Sequence, residues 1–116
     1  MRVKRIIPNI AAPNIDAAKA FYAGVLGLDV VMDEGWIVTF AATGQAAPQI
    51  SVAIEGGAGT PVPDLSIEVD DVDEAHRRMV DAGVVIDYGP VREPWGVYRF
   101  FVRDLFGRPI NILGHD

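Results

Sequence analysis

The side chains of this chain that are best suited to chemistry are aromatic and polar residues on several short segments. Trp95 lies in the proline- and glycine-flanked stretch 92–96, and Trp36 follows Gly35 at the start of a predicted strand. Planar rings of this kind hold flat or cationic ligands by stacking and cation–π contact. The pattern therefore predicts a surface that binds a small molecule. The predicted ligand-binding residues are Asn9, Trp36, Ser51, Asp64, Ser66, Trp95, Tyr98, Phe100 and Asn111.

Several of these candidates have a second interpretation. Asp64 begins its predicted strand, where a solvated carboxylate at a strand edge is the alternative to a ligand contact. Asn111 interrupts an apolar strand and contacts either a ligand or an internal hydrogen-bond network, because a buried amide without a partner is costly. Asn9 and Ser66 leave the same two possibilities open. Phe100 is equally suited to core packing.

No recognisable catalytic set is present. The chain has no cysteine, which excludes disulfides and thiolate metal ligands and is compatible with a reducing cytoplasm. There is no Ser-His-Asp arrangement and no phosphate-binding loop with its lysine. His76 is expected on an exposed helix face beside two arginines, and the penultimate residue His115 at a frayed terminus. We therefore predict no catalytic residue and no cofactor.

Charge and hydropathy limit the partners. The formal net charge of −6 disfavours nucleic acid and is compatible with neutral or cationic small molecules. No apolar run of about 18 residues and no basic-then-apolar amino terminus is visible, so neither a membrane span nor a secretory signal is predicted. We expect a cytoplasmic protein that does not bind membranes.

The elements that must position these residues occur twice in the same order. A strand at 6–12 precedes a helix at 14–27, and a strand at 64–69 precedes a helix at 71–83. Each helix starts at a good N-cap residue and ends at a glycine. A half of about 55 residues is too small to bury a good core alone. The two copies are therefore expected to pack together around a groove that holds the site.

Four further strands are predicted from short apolar segments bounded by glycine, proline or aspartate. They lie at 36–41, 49–54, 97–103 and 109–113, with a hairpin turn at 104–107. We predict a single domain over 1–116, with a first module at about 1–56, a linker at 57–60 and a second module at about 61–116.

Period-two alternation separates the two faces of the predicted strands. It turns Leu65, Ile67 and Val69 towards a helix and leaves Ser66 and Glu68 on the other side. In the first copy, Ile50 and Val52 are expected under the helix, with Asn9 and Ser51 opposite. The face away from the helix is therefore predicted to be the binding surface.

Three segments carry a resemblance to a known family. They are Ala20-Phe21-Tyr22 followed by Val25-Leu26-Gly27-Leu28, the segment Val69-Asp70-Asp71-Val72-Asp73, and the ending 100–113. Their order and spacing resemble the vicinal-oxygen-chelate superfamily of glyoxalase I, bleomycin-resistance proteins and extradiol dioxygenases, over essentially the whole chain. The resemblance implies an α+β fold of two βαβββ modules that form a curved mixed sheet around a cleft, usually in a homodimer.

The resemblance also indicates where a metal would be held. Metal-dependent members place histidine or glutamine on the opening strands and glutamate on the closing strands, at positions that correspond here to Ile7, Ser51, Asp64 and Asn111. Divalent catalytic metals need imidazole and carboxylate donors around one point. We therefore predict no metal site. The alternative is a weakly held cation near Asp64, Glu68 and Asn111.

The predicted function is metal-independent binding or sequestration, in an aromatic and acidic cleft, of a small, partly aromatic and preferably cationic molecule, similar to that of the bleomycin-resistance proteins. The alternative is an enzyme of the same superfamily, a glyoxalase-like lyase, an isomerase or a dioxygenase, with Asp64 or Glu68 in an unfamiliar site. A third interpretation is a module that binds a partner protein and no ligand. A stoichiometric divalent metal would favour the enzyme.

Overall fold

The computed structural model describes residues 1–44 and 48–115. Residues 45–47 and 116, which the predicted domain 1–116 includes, lie outside the described residues. The chain divides into two compact units, which we call the first unit (Ile7–Val62) and the second unit (Met1–Ile6 with Pro63–Asp116). No helix in the described part of the chain is long and apolar enough to cross a membrane.

The first unit contains one helix and a small sheet. Its elements are β1 (Val3–Ala11, in this unit from Ile7 onward), α1 (Ile15–Lys19), a π-helical segment (Ala20–Val25) that continues α1, β2 (Asp29–Asp33), β3 (Ile37–Ala41) and β4 (Gln49–Ala53). The strands lie in the order β2-β3-β4-β1. Strand β1 is parallel to β4, and the other neighbours are antiparallel.

The second unit repeats this arrangement. Its elements are β5 (Leu65–Val69), α2 (Val72–Asp81), β6 (Ile86–Arg92), β7 (Val97–Arg103) and β8 (Pro109–His115). The strands lie in the order β5-β8-β7-β6, with β5 parallel to β8 and the remaining pairs antiparallel. Each unit therefore has the element order βαβββ, which confirms the α+β class predicted from the sequence.

Both helices begin at the predicted caps. The Asn14 side chain accepts a hydrogen bond from the backbone N–H of Ala17 at 3.1 Å, and the Asp71 carboxylate accepts one from the backbone N–H of Glu74 at 3.0 Å. These bonds satisfy backbone N–H groups that have no partner inside the helix. The cap residues thus set where each helix starts and, with it, which face meets the sheet.

Each unit has its own core between its helix and one face of its sheet. In the first unit Ala18, Val38, Phe40 and Val52 are buried together. In the second, the buried core residues are Val69, Val72, Ala75, Phe100, Val102, Ile110 and Ile112. Leu65, Ile67 and Ile50 pack against these cores. The predicted helix-facing alternation is therefore confirmed for β4 and β5.

Gly89 lies where β6 approaches the backbone of β7, and no other residue type suits the position. Its φ is +77°, and a Cβ added there would lie 2.6 Å from the carbonyl oxygen of Arg99. We expect Gly89→Ala to lower the free energy of unfolding by at least about 2 kcal/mol, measured by urea denaturation.

Gly107 provides the matched control for this substitution. Its φ is +79°, but an added Cβ would meet no atom within 4 Å. Gly107→Ala should therefore cost only the conformational strain of about 1 kcal/mol. Equal losses for the two variants would show that the close approach to Arg99 does not matter.

Candidate functional site

The candidate site lies on the face of the second unit's sheet that α2 does not cover, which we call the helix-free face. In β7, Phe100 and Val102 pack towards α2, so alternation turns Arg99 and Phe101 to the helix-free face. Strand register then brings side chains from all four strands into one row across this face. The row consists of Ser66, Asn111, Phe101 and Tyr88.

Arg99 is the centre of a buried cluster on this face. Arg99 is 3% and Glu93 is 7% exposed, and the Arg99 Nη2 atom lies 3.5 Å from Glu93 Oε2. The guanidinium carbon lies 4.8 Å from the ring centre of Phe101, 5.0 Å from Trp95 and 5.5 Å from Tyr88. A guanidinium is planar and weakly hydrated, which allows it to lie among aromatic rings. We call these five residues the arginine cluster.

A tight hairpin turn between β6 and β7 completes the cluster. The backbone N–H of Glu93 donates to the carbonyl of Val97 at 2.8 Å, and that of Gly96 donates to the carbonyl of Glu93 at 3.1 Å. Pro94 suits the second position of such a turn, and Gly96, with φ of +93°, its left-handed position. The irregular stretch 92–96 of the sequence is therefore the turn that carries Trp95 to Arg99.

Hydrogen bonding and burial shift two pKa values in the cluster. The Tyr88 hydroxyl donates to Glu93 Oε1 at 2.7 Å. This bond, together with burial and the charge of Glu93, raises the pKa of Tyr88. Burial lowers the pKa of Arg99, and the negative charge of Glu93 opposes that change. The phenol therefore stays protonated to higher pH than a free tyrosine, which keeps the bond to Glu93 intact.

The raised pKa of Tyr88 gives stability a pH dependence on the alkaline side. In the unfolded chain the phenol loses its proton near about pH 10, whereas in the folded protein its pKa is raised. The contribution of Tyr88 is therefore present below that pH and is lost as the pH rises through the folded pKa. We expect the urea midpoint to fall between about pH 9 and about pH 11. The midpoint of Tyr88→Phe should fall less over the same pH range. An equal fall in the variant would show that Tyr88 does not cause the alkaline loss of stability.

Asn111 and Glu93 each carry a buried acceptor atom. Asn111 is 7% exposed, and its Nδ2 donates to Ser66 Oγ at 3.1 Å. Among the described residues, neither Asn111 Oδ1 nor Glu93 Oε2 has a hydrogen-bond partner. Buried acceptors without a donor are uncommon in folded proteins and cost stability.

The carboxylates at the margins of this face are already paired. Asp64 lies 3.4 Å from the guanidinium of Arg108. Glu68 lies 2.6 Å from Nε of Arg5 and 3.7 Å from Nε2 of His115. The acidity predicted for the binding site is thus compensated at these two carboxylates.

Both histidines lie in places other than those expected. His115 ends β8, beside Glu68, and is not frayed. His76 is partly buried, with its ring centre 5.2 Å from that of Phe100.

Two predicted ligand-binding residues face the helix and not the candidate site. Phe100 is 0% exposed and is a core residue beneath α2. The Tyr98 hydroxyl donates to Asp73 at 2.6 Å, and its ring lies 4.3 Å from the guanidinium of Arg92. Tyr98 instead lines a cavity of about 250 Å³ beside the start of α2. Apolar residues occupy both odd and even positions of β7. Alternation alone therefore did not decide which of its side chains face α2.

The other predicted residues divide between the units. Ser66 and Asn111 lie together on the helix-free face, and Trp95 contacts Arg99 in the arginine cluster. Asp64 lies just before the start of β5. The sequence pattern did not indicate four other residues of this face: Arg99, Glu93, Tyr88 and Phe101. The available signal was Arg99 itself, a charged residue within an otherwise apolar and aromatic strand.

In the first unit, Asn9 and Ser51 are partners on the neighbouring strands β1 and β4. Ser51 Oγ lies 2.7 Å from Thr39 Oγ1 in a buried hydrogen bond. Trp36 is half-buried, and its carbonyl accepts from the backbone N–H of Ile54 at 2.9 Å. Ligand contact by these three residues stays a prediction.

Metal-dependent relatives hold their metal at four positions, and the residues at those positions in this chain are unsuited to bind one. Ile7 is apolar, and the Ser51 hydroxyl is bonded to Thr39. Asp64 is paired with Arg108, and the amide of Asn111 is bonded to Ser66. Within residues 1–44 and 48–115, no three or more histidine, cysteine, aspartate or glutamate side chains are grouped so that they could hold a metal ion. The side chains at these positions therefore do not form a donor set for a catalytic metal ion.

Comparison with solved structures identifies the fold. An NAD-dependent benzaldehyde dehydrogenase structure from Legionella pneumophila is 18% identical with a TM-score of 0.77, covering 97% of this chain and 100% of that one. Methylmalonyl-CoA epimerase from Mycobacterium tuberculosis is 20% identical with a TM-score of 0.65, covering 98% and 87%. A glyoxalase/bleomycin resistance protein/dioxygenase superfamily member from Vibrio splendidus 12B01 is 13% identical with a TM-score of 0.63, covering 99% and 100%. At these identities the similarity establishes the fold alone.

Sequence comparison then settles the family. No curated protein matches the chain closely enough to count as a relative. One family profile matches residues 3–112, which is nearly the whole chain. That match agrees with the repeated βαβββ order of the two units and with the three segments that carried the resemblance. The chain belongs to the Glyoxalase/Bleomycin resistance protein/Dioxygenase superfamily.

Proposed function

We propose that this protein binds a small planar molecule, without a metal, on the helix-free face of the second unit. The observation that carries the proposal is the arginine cluster, in which a buried ion pair is surrounded by aromatic rings on the side of the second unit's sheet opposite to α2. In this proposal, the role of the protein in the cell is to sequester a drug-like or natural compound in the cytoplasm.

Trp95 is the main contact surface in this proposal. It is half-buried at the tip of the β6–β7 hairpin, and one side of its ring is held against the Arg99 guanidinium. A ring fixed in this way loses little conformational freedom when a flat ligand stacks on it. The buried ion pair of Arg99 and Glu93 therefore serves to hold Trp95 in place for binding.

Calorimetric titration with a panel of flat aromatic compounds, neutral and cationic, tests this proposal. We expect at least one compound to bind, and Trp95→Ala to weaken its binding roughly tenfold or more while the circular dichroism spectrum is unchanged. Phe106→Ala is the control, because Phe106 is an exposed aromatic residue in the β7–β8 turn. Equal effects of the two variants, or no binding by any compound, would overturn the proposal.

The metal-independent part of the proposal separates binding from the enzymatic alternative. We expect protein purified without added metal to contain far less than one equivalent of zinc, iron, nickel or manganese, because the residues at the family's ligand positions do not form a donor set. Elemental analysis measures this directly. A tightly held stoichiometric transition metal would overturn it and favour a lyase, isomerase or dioxygenase.

We also propose a homodimer. The support lies in the first unit, where large apolar side chains are exposed on the π-helical segment and on the edge strand β2: Phe21, Val25, Val30 and Val31. A second copy that covers these side chains and the free strand edge would remove both from water. Light scattering at micromolar concentration tests the proposal, and a monomer mass would overturn it.

A further inference from the structure

The first unit exposes large apolar side chains along one continuous segment of the chain. They lie on the π-helical segment, on the residue after it and on the edge strand β2, and we call them the apolar patch: Phe21, Val25, Leu26, Val30, Val31 and Met32. We infer that two copies of this chain associate patch to patch, so that the apolar patch of one copy covers the same patch of the other about a two-fold axis. This contact rests on the proposed homodimer and specifies the surface and the symmetry through which it forms.

The size of the apolar patch indicates a contact with another molecule. Its side chains range from 36% exposed at Met32 to 73% at Val25, and the segment 20–32 contains one charged residue, Asp29. Single apolar side chains on a surface are ordinary, whereas contiguous apolar patches larger than a few hundred Å² mark interfaces. An apolar core with few charges is also what a standard interface of about 800 Å² per partner contains. The apolar patch has the composition of such a core.

The described residues offer no second exposed apolar surface of this kind. Their other exposed large apolar side chains are spread over four places in the chain: Met1, Val3, Ile6 and Ile10 on or before β1, Ile54 after β4, Val80 and Val85 near the end of α2, and Leu105 and Phe106 in the β7–β8 turn. Alternation divides those of β1 between the two faces of the strand. The surface that best matches the apolar patch is therefore the same patch on a second copy.

A contact between identical patches closes on itself. In a two-fold contact each copy uses its one apolar patch, so no patch is left to recruit a third copy and assembly stops at two. A contact between the patch and a different surface would instead leave one of each unused and could continue as a chain of copies. The inferred assembly is therefore a closed dimer.

Side chains, and not the strand backbone, are expected to make this contact. The register of β2 against β3 shifts between Val30 and Met32, which leaves Val31 as an extra residue in β2. Such a bulge disturbs the hydrogen-bond ladder and protects a strand edge from pairing with another strand. The two β2 strands are therefore expected to lie side by side through their apolar side chains without extending one sheet into the other.

Light scattering over a concentration series tests the closed contact. We expect the mass to rise to that of two copies and to stop there. Val25→Lys places a charge in each half of the contact and should raise the dissociation constant of the dimer at least about tenfold. Leu105→Lys is the matched control, because Leu105 is 99% exposed but lies outside the apolar patch. Growth beyond two copies, or equal effects of the two variants, would overturn the inference.

Cysteine variants test the symmetry directly, because the chain has no cysteine of its own. Val25→Cys and Val31→Cys each introduce one thiol per copy, so a short bis-maleimide can join two copies only at the same residue. At least one of these variants should give a covalent dimer, whereas Leu105→Cys, at the more exposed position, should not. This result does not depend on the folding of Val25→Lys. No covalent dimer from either patch variant, or an equal yield from Leu105→Cys, overturns the inference.

The outcomes also separate this contact from the proposed homodimer. A monomer mass at every concentration overturns both. A dimer that Val25→Lys does not weaken, and that the bis-maleimide does not join at Val25→Cys or Val31→Cys, overturns the contact alone and leaves the homodimer in place.

Discussion

Arg99→Met is expected to lower the free energy of unfolding by about 3–5 kcal/mol. Arg99 and Glu93 are both almost fully buried, and the guanidinium is the charge that compensates the Glu93 carboxylate. When one partner of a buried pair is removed, the other is left in a medium that solvates it poorly. Urea denaturation followed by circular dichroism measures the loss.

Two controls identify the cause of this loss. The double variant Arg99→Met with Glu93→Gln removes both charges and should recover part of the stability, because no buried charge is left over. Arg77→Met removes an arginine that is exposed and paired with Glu74 on α2, so its cost should be below about 1 kcal/mol. Equal losses for Arg99→Met and Arg77→Met would show that the arginine cluster has no special role in stability.

Phe100→Ala is expected to lower the free energy of unfolding by about 3–5 kcal/mol, as is usual when a buried phenylalanine is truncated. Phe100 is 0% exposed, whereas Phe106 is 88% exposed. Phe106→Ala is therefore the matched control, with an expected change within about 0.5 kcal/mol. Thermal and urea denaturation of the two variants measures the difference.

The same position also distinguishes a core residue from a ligand-binding residue. Phe100→Leu retains an apolar side chain beneath α2 and should fold. Because Phe100 faces the helix, this variant should bind ligand as the unaltered protein does. If Phe100→Leu folds but no longer binds the ligand, Phe100 is a ligand-binding residue, as predicted from the sequence.

Local features of the chain were readable from the sequence because their physical causes are local. The caps Asn14 and Asp71 each satisfy a backbone N–H group three residues away, so their effect needs no distant partner. Leu65, Ile67 and Val69 alternate strictly with polar residues, which fixes the two faces of β5. The repeat of strand, helix and closing glycine likewise predicted two copies of one arrangement, and the family resemblance implied the βαβββ order that both units have.

The site was only partly readable. Alternation placed Ser66 on the face away from the helix, and the structure joins Asn111 to it there by a hydrogen bond. In β7, apolar residues occupy both parities, so the sequence did not decide that Phe100 faces α2 and that Arg99 faces away from it. Which residues of β7 face α2 depends on the register between β7 and β8, and this pairing is made in the folded protein.

The arginine cluster was decided by tertiary structure alone. Glu93 and Trp95 meet Arg99 because the turn 93–96 reverses the chain, and Phe101 and Tyr88 meet it through the pairing of β6 with β7. Burial of a charged pair is stable only when all these groups are in place together, since each one alone would be better solvated by water. The sequence contains the residues, but their energetic coupling exists only in the folded unit.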